Sequence, residues 1–203
     1  MDFYSLLKSG GVFMYPLLLC SILVLTIVIE RSYFFLRLKK SPKKLLTKIK
    51  ILIEQGNFRE AANLARVNNS PVLKLIKIGI NNHQKSARER EKILTRIGSK
   101  ELRKMSKYLR GLGIISHIAP LIGLLGTVTG IIKAFMKIYE LGGNIDPIVL
   151  AGGISQALIT TAVGLTVAIP ASIFYQYFEG KIDHHYNNMT EKTQLLTEWL
   201  NEK

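Results

Sequence analysis

Charged residues leave three long gaps in this chain. Val12 to Ile29, Gly111 to Ile132 and Ile148 to Phe178 run without a single Asp, Glu, Lys or Arg. A helix that crosses a bilayer needs about 20 mainly apolar residues, and each run predicts one such helix. The boundaries follow: an outer N-terminus over 1–11, transmembrane helices over 12–35, 111–133 and 148–178, and an outer connection over 134–147. The third run has 31 residues, about 46 Å of helix at 1.5 Å per residue. Its end near Tyr175 to Phe178 should leave the bilayer core.

Between the first two runs the pattern is helical but amphipathic. Asn57 followed by Glu60 predicts a capped helix start. Gly56 ends the preceding helix, Lys43 to Gln55, and Asn68 to Pro71 reads as a turn. Ile93, Ile97, Leu102, Met105 and Leu109 fall at helical spacing, so the helix over 85–110 is expected to run straight into the second span. The tail over 179–203 repeats the pattern. The expected fold is an all-α membrane protein, with three transmembrane helices and a helical cytoplasmic stalk formed by their extensions.

Charge orients this arrangement. The chain has 203 residues and a formal net charge of +14. From Arg37 to Arg110 there are 21 Lys or Arg against 5 Glu and no Asp. The positive-inside rule places 36–110 and the tail in the cytoplasm, and the N-terminus in the periplasm. Arg31, Arg37, Lys39 and Lys40 then fall where they would meet the inner leaflet, and anionic lipid headgroups account for the basic excess. These cations flank membrane helices, so a nucleic-acid partner is not expected. Asp2 precedes Lys8, and no small-residue cleavage site follows the first run, so that run reads as a retained helix and not a signal peptide.

Little else in the chain suggests chemistry. No Gly-rich phosphate loop precedes a helix. His83, His184 and His185 lack a ligand set with metal spacing. The single cysteine, Cys20, reads as filler in the first helix. Neither a cofactor, a metal nor an enzymatic activity is expected.

Two polar faces carry the functional reading. On a helical wheel, Gly153, Gln156, Ala157, Thr160, Thr161 and Gly164 share one side of the third span. Gly123, Gly126, Thr127 and Gly130 form a stripe on the second. Tight helix packing explains the small residues. The threonines and the amide suggest a partly wet path or a polar partner helix as well. Both readings stay open on the residues alone. Pro120 and Pro170 each remove a helical hydrogen bond and predict kinks. No carboxylate lies within the second or third span, so a proton path here would need a titrating group from another chain.

The segments APLIGLLGTVTGI (Ala119 to Ile131) and GGISQALITTAVGLTVAIPA (Gly152 to Ala171) resemble the signature helices of the MotA/TolQ/ExbB proton-channel family. Glu30-Arg31, GNFREAANLA from Gly56 and Ser70-Pro71 match in order, and three helices suit the ExbB/TolQ branch. The resemblance implies a homopentamer in the bacterial inner membrane. It implies a dimer of an ExbD/TolR-like single-span partner in the central pore, carrying the proton on an aspartate. It also implies work delivered through a TonB- or TolA-like protein, for outer-membrane transport or for Tol–Pal envelope maintenance. By motif position it marks Thr127 and Thr161 as pore-facing. Gln156 stands where better-known ExbB members have a glutamate. A sodium-driven homologue and a non-conducting helical scaffold are the competing readings.

Overall fold

A computed structural model of the chain describes residues 10–38, 42–68, 70–140 and 147–201. Among these, the structure is helical without strands. The elements are α1 (Met14–Arg37), α2 (Lys43–Glu54), α3 (Phe58–Leu64), α4 (Pro71–Asn81), α5 (Ala87–Met105), α6 (Leu109–Glu140) and α7 (Pro147–Asn201). Three helices are long and apolar enough to cross a membrane: α1, α6 and the first part of α7. Lys39 and Lys40, residues 1–9 of the expected outer N-terminus and residues 141–146 of the expected 134–147 connection lie outside the described residues.

Local chemistry sets the short helices. α2 ends where Gly56 adopts φ 76, a left-handed geometry that costs glycine no steric strain. There Asn57 N–H donates to Leu52 O at 2.8 Å, and Gly56 N–H to Ile53 O at 2.9 Å. This is the Schellman pattern that satisfies the last carbonyls of a helix. Asn57 then caps α3 by accepting from Glu60 N–H at 3.4 Å. Ser70 accepts from Leu73 N–H at 3.2 Å, and Pro71 occupies the first turn of α4, where no N–H is needed. Ser86 and Glu89 form a reciprocal capping box on α5.

The chain divides into two compact units. One comprises residues up to Glu30 with Tyr108–Tyr177, and the other Arg31–Lys107 with Phe178–Lys203. The second has a conventional core. Ile49 and Ile53 of α2, Leu73, Ile76 and Ile80 of α4, and Leu196 of α7 are each at most 1% exposed. They form one cluster with Ala61, Leu94 and Met189.

Two expectations about continuity change. No break separates 148–178 from the tail, because α7 is a single helix of 55 residues. By contrast, the helix expected over 85–110 does not run into the second span. α5 stops at Met105, Ser106 caps it, and Tyr108 turns left-handed at φ 66 before α6 begins. The apolar period hid the break because Met105 and Leu109 are both buried. Their four-residue spacing imitates an unbroken helix.

Candidate functional site

α6 and α7 meet along a seam of small residues within the first unit. The approach is so close that side chains would have no room. A Cβ on Gly123 would lie 3.1 Å from Thr160 O, and one on Gly164 would lie 2.7 Å from Ala119 O. A Cβ on Gly130 would meet that of Ala157 at 3.0 Å, and one on Gly153 that of Ala134 at 2.6 Å. Ala119 and Ala157 are fully buried in the seam. Thus Gly123, Gly126, Gly130, Gly153, Ala157 and Gly164 hold the two backbones together within one chain. In lipid no hydrophobic force drives helices together, so such close backbone approach carries the association.

The polar residues sort onto two flanks of this seam. On one flank, Thr127 and Thr161 hydrogen-bond to each other through their hydroxyls. Both also reach Gly123 O, Thr127 at 3.2 Å and Thr161 at 2.9 Å. Both residues are half-buried. Two hydroxyl protons serve one carbonyl and each other, so the pair keeps lone pairs free. It can turn to accept from, or donate to, a group placed beside it.

On the other flank the hydroxyl is committed. Thr160 is 1% exposed, and its Oγ1 lies 2.8 Å from Gly10 O and 2.9 Å from Gln156 O. The Gln156 amide nitrogen packs against Gly11, which sits at φ 71 in the turn leading into α1. Sequence reasoning placed Thr160 and Gln156 together with Thr127 and Thr161. The structure brings Thr127 to Thr161, and turns Thr160 and Gln156 toward the N-terminal turn. The glycine pair at 10–11, directly ahead of an apolar run, was the available signal.

The remaining hydroxyls are quiet. Thr166 donates to Ala162 O at 2.8 Å, one turn earlier on its own helix, which is how such a side chain is satisfied in an apolar setting. His117 is exposed, away from the seam. α6 and α7 continue through Pro120 and Pro170.

The basic residues also separate. Arg37 is exposed, with its guanidinium 4.3 Å from the centre of the Tyr33 ring. Arg31 is not on the surface, as a headgroup contact would require. It is 2% exposed and donates from one Nη to Lys104 O at 2.9 Å and Met105 O at 3.1 Å. Its guanidinium also lies 4.6 Å from the centre of the Phe34 ring. The cation meets the negative, carbonyl end of α5, where a positive charge is favourable. A charge buried on these partners is not available to lipid.

The fold and the seam define a class: an all-helical, multi-pass membrane protein whose membrane helices share a glycine-packed, hydroxyl-bearing seam. Residues 67–191 match the model of the MotA/TolQ/ExbB proton channel family. The chain is 31% identical over 196 residues to a protein of Methanothermobacter thermautotrophicus named as a biopolymer transport ExbB homolog, covering 96% of this chain and 69% of the relative. It is 34% identical over 172 residues to an ExbB-like biopolymer transport protein of Synechocystis, covering 83% and 67%. It is 30% identical over 199 residues to the biopolymer transport protein exbB1 of Vibrio cholerae, covering 97% and 87%. The chain belongs to the MotA/TolQ/ExbB proton channel family, on its ExbB branch. That family is one of transport proteins and not of enzymes, and it gives the chain an ExbB-like energy-transducing role.

Proposed function

We propose that this chain is the pore-forming subunit of an inner-membrane complex that uses the proton-motive force to drive TonB-dependent transport across the outer membrane. Five copies enclose the pore, as the family resemblance implies. A single-span partner dimer of the ExbD type stands inside and carries the proton on an aspartate. The N-terminus is periplasmic. The segment 36–110 and the tail are cytoplasmic, and Arg37 meets anionic headgroups.

One observation carries the reading: the Thr127–Thr161 hydroxyl pair on the half-buried flank of the seam. A fixed carboxylate or ammonium there would strongly shift the pKa of a nearby carboxyl group. Hydroxyls solvate that group in either protonation state without competing for its proton. Each charge that crosses 100 mV delivers about 2.3 kcal/mol, so a few protons per step suffice to move one helix against its neighbours. Pro120 and Pro170 let α6 and α7 bend around the pore.

Proton flux into proteoliposomes tests this, with and without the single-span partner under an imposed potential. Flux is expected only with the partner, and Thr161→Val is expected to remove it while the complex stays assembled. The close packing of the seam glycines favours a second reading, a non-conducting scaffold. In that case Thr161→Val leaves transport unchanged. Flux that follows a sodium gradient instead would change the ion and keep the site.

A further inference from the structure

The flank of the seam opposite the threonine pair is covered by the N-terminal turn. Gly10 is buried against it, Gly11 takes a left-handed φ of 71, and Met14 N–H closes the turn on Gly11 O at 3.1 Å. Beneath the turn lies a cavity of about 20 Å³, lined by Gly11, Val12, Gly126, Thr129, Lys133 and Gln156 among others. That is room for about one water, among groups that can hydrogen-bond it.

We propose that the turn Gly10–Phe13 is a releasable cover over this flank, with Thr160 as its latch. The argument rests on one proton. The Thr160 hydroxyl has a single hydrogen and two carbonyls within reach, Gly10 O and Gln156 O. It holds the turn when it donates to Gly10. When the turn lifts, the hydroxyl falls back on Gln156 O, one helical turn earlier, and is never left as an unpaired buried donor. Such an orphan would carry most of the cost of breaking a buried hydrogen bond, and here that cost is avoided. Gly10 O and the Gln156 amide then turn to water. A latch with a fallback partner holds the turn and still opens readily. Lifting the cover admits water beside Gly126 and Gly130, on the side of the seam away from Thr127 and Thr161. This inference deepens the reading of the seam as a conduit, but its geometry does not depend on conduction.

The test uses the full-length protein in its complex, with Cys20→Ser and a single thiol introduced by Thr129→Cys. Among the described residues the Thr129 hydroxyl bonds carbonyls of its own helix, Leu125 O at 2.9 Å and Gly126 O at 3.1 Å, so this change removes no described hydrogen bond between elements. A membrane-impermeant maleimide reports the opening. Thr160→Val, which keeps the shape and loses the proton, is expected to raise the labelling rate about fivefold, the worth of one net hydrogen bond. Thr160→Ser is expected to restore the parent rate. Gly11→Ala gives an independent reading, because a side chain there is strained and meets the Gln156 amide. It should raise the rate without touching the seam. Equal rates in the parent, Thr160→Val and Gly11→Ala would overturn the latch. So would a rise in Thr160→Val that Thr160→Ser fails to reverse. The assay needs no ion gradient, so its failure leaves the flux test standing, and the reverse also holds.

Discussion

The two units of this molecule pack helices by opposite means. In the unit of Arg31–Lys107 and Phe178–Lys203, large aliphatic side chains fill the space between helices, and Ile49, Leu73 and Leu196 are fully buried. Burial of each such side chain from water stabilises by about 1.5–3 kcal/mol. In the unit of the seam, the interface between α6 and α7 is made of glycine and alanine. Leu121, Leu125, Val128 and Ile132 of α6 turn outward instead, each about half-exposed. The same residue types serve opposite ends because the solvent differs. Water drives leucine inward, whereas lipid is as apolar as leucine and leaves close backbone contact as the source of cohesion. A seam packed this way can also hold threonines at its edge, where an aliphatic core would exclude them.

The sharpest way to break this comparison is to give the seam a side chain. Gly164→Val would drive a branched Cβ toward Ala119 O at 2.7 Å and Gly123 Cα at 3.1 Å, both backbone atoms that cannot swing aside. Overpacking of this kind costs about 3 kcal/mol at the upper end of the usual range. The complex is expected to lose assembly, read by size-exclusion chromatography in detergent. Gly180→Ala is the control, since nothing lies within 4 Å of a Cβ there. It should be neutral or stabilise α7 by about 0.5–1 kcal/mol, because alanine favours helix over glycine. Assembly that survives Gly164→Val would show that the seam is not what holds the pair.

The second prediction concerns Arg31, where α1 enters the other unit. Arg31→Ala removes a buried cation and two charge-assisted hydrogen bonds from the last carbonyls of α5. The expected loss is about 2 kcal/mol, with faster amide exchange over 106–109, where α5 gives way to α6. Arg31→Lys should recover only part, because one ammonium cannot reproduce the planar fork. An unchanged exchange rate in Arg31→Ala would mean the break at Tyr108 is held by something else.

How much of this was legible in the sequence depends on which physics set each feature. The three apolar helices follow from uncharged runs alone, and the α3 cap from Asn57 and Glu60. Wheel geometry found the seam as a face, because packed small residues must share a side of each helix. It could not separate the flanks. Gln156 and Thr161 lie on opposite edges of that face, and only the partner helix and the N-terminal turn decide what each edge meets. Arg31 was misplaced for a related reason. Position next to an apolar run favours a lipid contact, and no sequence rule shows that α5 ends its carbonyls beside it. The break at Tyr108 escaped because spacing reports only that residues are buried, and Met105 and Leu109, on either side of the turn, are each buried at helical spacing.

The smallest expected effect tests whether charge contributes where the aliphatic core already holds. Glu101 is 9% exposed and receives Lys74 Nζ at 2.6 Å and Lys104 Nζ at 3.0 Å. Burial pushes its carboxyl up, but the hydrogen bonds and positive charge of Lys74 and Lys104 together outweigh burial and hold it below the ordinary carboxylate value. The folded protein therefore binds this proton more weakly than the unfolded chain. Its contribution is complete above the usual carboxylate range, near about pH 4.3, and fades as pH falls through the lowered folded value. Both lysines are nearly half-exposed, so solvent screens the pair and the contribution is about 1 kcal/mol. Glu101→Gln keeps the shape and an acceptor while removing the charge. Unfolding midpoints of the detergent-solubilised protein should differ between parent and variant at pH 7 and converge toward pH 3. A gap of equal size at both pH values would assign the loss to packing. The unit would then be held by its aliphatic core alone.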